Sequence, residues 1–102
     1  MKDKRQKRKH NVITPGEDII ASFAQEFRRS LWSLMDEGIQ RITVDLTGVG
    51  MIDSIGIGVL ISTQNALKKK GGGLSIINAS GDLFSLFTAM RLDQHLEVKA
   101  TA

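Results

Sequence analysis

The chain has 102 residues, enough for one domain with a single modest core, and its 41% apolar and 25% charged content is that of an ordinary globular protein. Cysteine is absent, which excludes disulfides, thiolate catalysis and Cys-based zinc sites and fits a reducing compartment. The net charge of +3 is uneven: residues 1–10 carry +5, while the other 92 residues hold eight basic and ten acidic side chains and carry −2, so the body is not a nucleic-acid-binding surface by charge.

Lys2, Lys4, Arg5, Lys7, Arg8 and Lys9 form a like-charge block with Asp3 as its one acid. Such a block is expected to be a flexible tail over residues 1–10. It reads either as a solvated tail or as a tether to nucleic acid or anionic lipid. No apolar h-region follows it, so it does not read as a signal peptide, and no run approaches the ~18 apolar residues of a membrane span. A cytoplasmic protein is the simplest expectation.

Asn11-Val12-Ile13 predicts a short strand. Thr14-Pro15-Gly16-Glu17 then predicts a helix start, with Thr14 as N-cap, Pro15 at the first helical position and Glu17 closing a capping box. Ile20, Phe23, Phe27, Leu31, Leu34 and Met35 follow at helical spacing, and Gly38 is the expected stop. Ile42, Val44 and Leu46 alternate with polar residues and predict a strand. After a glycine-bearing turn, Ser54 opens a second helix running to about Lys70. Its first half is apolar nearly all round and is expected to be buried. Lys68-Lys69-Lys70 suits the negative end of that helix, and Gly71-Gly72-Gly73 ends it.

Leu74–Asn78 predicts another strand. Ser80 or Asp82 caps a third helix with Leu83, Phe84, Leu86, Phe87 and Met90 inward, and His95–Val98 predicts a last strand. Strands that alternate with helices predict an α/β fold: a small, mainly parallel or mixed sheet of about four strands with three helices.

The distinctive run is Asp45-Leu-Thr-Gly-Val-Gly-Met-Ile-Asp-Ser-Ile-Gly-Ile-Gly-Val-Leu60. Asp53-Ser54 stands at a helix N-terminus, and Gly56 and Gly58 lie inside the helix. Each glycine costs about 1 kcal/mol against alanine there, so another backbone or a partner is expected to approach closely. A helix N-terminus presents free N–H groups and partial positive charge, so phosphate on Ser54 is accepted without unfolding. The bland alternative is that Ser54 is only an N-cap.

This run resembles the STAS domain, and within it the anti-sigma-factor antagonists, whose signature reads like Val-Asp-Leu-Thr-Gly-Val and then Ile-Asp-Ser-x-Gly-x-Gly-Val-Leu. The resemblance covers about residues 14–98 in element order and implies a STAS domain over 11–102. It implies that Ser54 is phosphorylated by a partner that is both anti-sigma factor and GHKL-type serine kinase, and that a PP2C-type phosphatase reverses this. The docking surface expected around Ser54 comprises Asp53, Ile55, Gly56 and Gly58. The chain would then be a kinase substrate, not an enzyme, with no cofactor of its own. Two other roles fit the same family: a STAS subunit docked on the ATPase of a membrane lipid-transport complex, and a scaffold of a stress-signalling assembly. The family usually opens with two strands before its first helix, and here three or four residues are available. That shorter edge predicts a weak homodimer through Asn11-Val12-Ile13.

Other chemistry has little support. Ile52-Asp-Ser-Ile-Gly56 lacks the first glycine of a serine-hydrolase elbow, and neither His10 nor His95 is placed to serve it. Gly71-Gly72-Gly73 lacks the Lys and Ser/Thr of a phosphate loop. Trp32 reads as core or rim.

Overall fold

The computed structural model describes residues 10–101. The basic run expected as a tail lies outside them, apart from His10, which opens the first strand. The elements in order are β1 (His10–Ile13), α1 (Ala21–Asp36), β2 (Arg41–Asp45), α2 (Ser54–Lys69), β3 (Gly73–Ala79), α3 (Gly81–Ala89), a 3-10 turn (Leu92–Gln94) and β4 (Glu97–Ala100). The sheet order is β1-β2-β3-β4 and every pair is parallel. Neighbouring strands follow one another in sequence through helical crossovers, and a common right-handed sense, the rule for such connections, puts all three helices on one face.

That face holds the core. Ile42 and Val44 of β2 and Leu74 and Ile76 of β3 meet Phe27 and Leu31 of α1, Leu60 and Leu67 of α2 and Phe87 of α3, all buried. The alternate residues Arg41, Thr43 and Ser75 point to the opposite face, where His10 Nε2, Thr43 Oγ1 and Ser75 Oγ form a hydrogen-bonded row at 3.0 and 2.9 Å. β1 is an edge strand, which the expected self-association requires.

Three expectations are corrected. The first helix starts at Ala21 rather than at Pro15, and its cap position is Ile20, which supplies no side-chain bond. Residues 14–20 stay outside the helix because Ile19 is drawn into a parallel bridge with Ile52, its N–H donating to the Met51 carbonyl at 3.0 Å. Met90, expected inward, is 47% exposed, because α3 ends one residue before it. The last strand falls at Glu97–Ala100 rather than His95–Val98, because the 3-10 turn takes up Leu92–Gln94. Ser80 is the cap of α3, accepting from Leu83 N–H at 3.2 Å.

Gln64 ties α2 to the sheet. Its Oε1 accepts from the Leu74 N–H at 2.7 Å, and its Nε2 donates to the His95 carbonyl. Gln64→Ala leaves a buried β3 amide without a partner, so a loss of about 1–3 kcal/mol in urea unfolding is expected. An unchanged midpoint would mean that water replaces the side chain.

Candidate functional site

The site is built where the chain leaves β2 and enters α2. Residues 18–21 and 50–53 are laced together along this path. Asp18 Oδ1 accepts from the N–H groups of Gly50 at 2.8 Å and Met51 at 3.0 Å, and Asp53 N–H donates to the Ile19 carbonyl at 3.3 Å. Asp53 is the N-cap of α2. Its Oδ1 accepts from Gly56 N–H and its Oδ2 from Ala21 N–H, both at 2.9 Å. One carboxylate therefore caps two helices, taking over for α1 the task the sequence had given to Thr14.

These bonds hold the Asp53 carboxyl below its ordinary pKa, the Gly56 amide contributing most. Asp45 is lowered too, first by the Thr47 hydroxyl and then by the Asn78 amide. A depressed carboxyl stabilises the fold above its unfolded pKa and loses that contribution as pH falls through its folded pKa. Stability is therefore expected to decline only below about pH 4 through these two groups. In Asp53→Ala, amide exchange at both Ala21 and Gly56 is expected to accelerate and part of the acid dependence to vanish. Exchange unchanged at Ala21 would contradict the double cap.

Ser54 is the first residue of α2, and its side chain is exposed. Because Asp53 is the cap, the hydroxyl is free of that duty. Met51, at 56% exposure, and Ile55, at 51%, are apolar side chains facing solvent within three residues of it in the chain. The expectation that the first half of α2 is buried fails at Ile55 and Ile61. A helix lying on one sheet face between two other helices still keeps an outward stripe.

The two glycines separate. Gly56 is buried: a Cβ there would fall on the Ile19 carbonyl oxygen and lie 2.8 Å from Ile52 Cγ2. Its missing side chain serves the crossing of the two segments. Gly58 is exposed, and a Cβ there meets nothing within 4 Å. Asp53, Ser54, Ile55 and Gly58 are thus gathered at one end and side of α2. Sequence reasoning missed Asp18. Its only signal was a carboxylate beside Glu17 that no helix start required.

Among the described residues no group of His, Asp or Glu could hold a metal ion, and no helix is long and apolar enough to cross a membrane. Fold and site together are those of a small α/β domain with an exposed serine at a helix N-terminus. The STAS domain family model matches residues 1–102, and the chain belongs to that family. It is 32% identical over 77 residues to the anti-sigma-B factor antagonist of Bacillus subtilis strain 168, covering 76% of this chain and 70% of that one. The anti-sigma factor antagonist SpoIIAA, solved in its unphosphorylated form, superposes with a TM-score of 0.70 at 18% identity, over 93% of this chain and 82% of its own. A sulfate transporter family protein of Wolinella succinogenes superposes with a TM-score of 0.73 at 16% identity, over 89% and 76%. These two likenesses show the shared fold.

Proposed function

We propose that the chain is an anti-sigma-factor antagonist that works as a phosphorylation-controlled binding module in the cytoplasm. Unphosphorylated, it binds an anti-sigma factor of the GHKL serine-kinase type and so frees a sigma factor for transcription. Phosphate on Ser54 ends that binding, and a PP2C-type phosphatase restores it. The ATP and the phosphoryl-transfer machinery belong to the partner.

The observation that carries this reading is Ser54 itself, exposed as the first residue of α2 with the capping role taken by Asp53. A phosphate there meets the positive end of the helix and is tolerated by the fold. It adds a charge of about −1.5 to −2 between the Asp53 carboxylate and the exposed Ile55 side chain, its two neighbours in the chain. A partner that had covered Met51 and Ile55 must then desolvate that charge, which drives release. The match to the Bacillus subtilis antagonist supports the same reading. The deciding experiment incubates the protein with ATP and purified anti-sigma kinase and locates the phosphate by mass spectrometry. Transfer to Ser54 with loss of the complex supports the proposal, and absence of transfer from every such kinase of the host overturns it.

A further inference from the structure

The fold supplies no reason for Gly58. It lies inside a helix, where glycine costs about 1 kcal/mol against alanine, yet the space where its Cβ would stand is open. That space belongs to a groove between α1 and α2, a cavity of about 410 Å³ lined by Ala24, Gln25 and Arg28 on one side and Ile55, Gly58 and Val59 on the other. The floor is apolar and the wall carries one charge. The Arg28 guanidinium lies over the Trp32 ring, 5.3 Å from its centroid, which restrains it. No carboxylate lines the groove, and among the described residues the ion pair is Lys99 with Glu97, far along the chain from Arg28.

We infer that this groove seats an acidic amphipathic helix of a partner protein, with an apolar side chain over Gly58 and a carboxylate on Arg28. Two packed helices present a trough that receives a third by ridge-into-groove contact, with anchors at i and i+3 or i+4. The lining from Ile55 to Ser62 covers about two turns, or roughly 10 Å, the reach of anchors extended one turn further to i+7. A Cβ at position 58 would fill the point of closest approach. Arg28 sets the sign of the partner's charge, because a guanidinium that has no carboxylate partner among the described residues, beside an apolar floor, favours a carboxylate over an ammonium. The inference rests on the reading of the chain as a partner-binding domain and extends the footprint from Ser54 along α2. The groove and Ser54 share Ile55, so one partner can span both.

The test titrates isotope-labelled full-length protein with two synthetic helical peptides that share a leucine face and carry either Glu or Lys beside it. The Glu peptide is expected to move the amide signals of Gln25, Arg28, Gly58 and Ser62, and the Lys peptide to leave them in place. Arg28→Glu should weaken the Glu peptide at least about tenfold and admit the Lys peptide. Gly58→Gln should block both, while Gly58→Ala, which reports on folding, should raise the melting temperature. Shifts that map elsewhere, equal binding of the two peptides, no binding, or shifts traced by sedimentation to pairing of two copies would each overturn the inference. Phosphate transfer to Ser54, measured in parallel, keeps the two proposals apart. Transfer without groove binding sinks the groove alone. Groove binding without transfer leaves the groove standing and sinks the phosphorylation switch.

Discussion

Gly56→Ala is expected to destabilise the domain by about 3 kcal/mol or more, and Gly58→Ala, two residues on, to stabilise it by about 0.5–1 kcal/mol. The local term has the same sign at both positions, since alanine is the better helix former. The tertiary term decides. At position 56 the new Cβ collides with the carbonyl oxygen of Ile19 and lies 2.8 and 3.0 Å from side-chain carbons of Ile52 and Ile19. Neither segment can retreat easily: Ile19 is fully buried, and its backbone is bonded to Met51 and Asp53. At position 58 nothing stands within 4 Å. Thermal unfolding of the two variants should therefore move the midpoint in opposite directions, by several degrees per kcal/mol in a domain of this size. Equal midpoints would show that the Ile19–Ile52 crossing yields.

Ser54→Ala is expected to fold like the wild type, accept no phosphate and hold the anti-sigma kinase whether or not ATP is present. Ser54→Asp should weaken the complex about 10- to 100-fold, or about 1–3 kcal/mol, without loss of stability, because a carboxylate in the first turn is favoured by the helix dipole. The competing acceptors are already engaged. Ser62 Oγ donates to the Val59 carbonyl at 3.2 Å, Thr47 Oγ1 to Asp45 at 2.7 Å, and Ser75 Oγ is bonded to Thr43 at 2.9 Å on the open sheet face. A phosphate mapped to any of these, or calorimetry giving Ser54→Asp the wild-type affinity, would remove charge at Ser54 as the switch.

The strands and helices were legible because their signals are local. Alternation at Ile42, Val44 and Leu46, the three-and-four spacing from Phe23 to Met35, and the glycine stops at Gly38 and Gly71, both at positive φ, need no knowledge of the rest of the chain. The start of α1 was not legible. Thr14-Pro15-Gly16-Glu17 satisfies every local rule for a helix start, but Ile19 gains more by pairing with Ile52 and entering the core than by joining a helix. Met90 failed for a related reason: it keeps the apolar spacing of α3 but lies just beyond the last turn.

The sequence by itself determined the α/β order, a mainly parallel or mixed sheet, the helix that begins at Ser54 and the family to which the chain belongs, because each of these is written in periodicity or in one contiguous motif. Tertiary structure alone decided what each residue of that motif does. Asp53 and Ser54 are adjacent and both are good caps, yet Asp53 takes the cap because a second helix end, Ala21, lies within reach of its other oxygen. That leaves Ser54 outward and free. Gly56 and Gly58 look alike in the sequence, yet one is covered by a carbonyl and the other faces an open groove. The reason is that residues 18–21 cross the start of α2 more than thirty positions away in sequence, and no local pattern encodes where such a crossing falls.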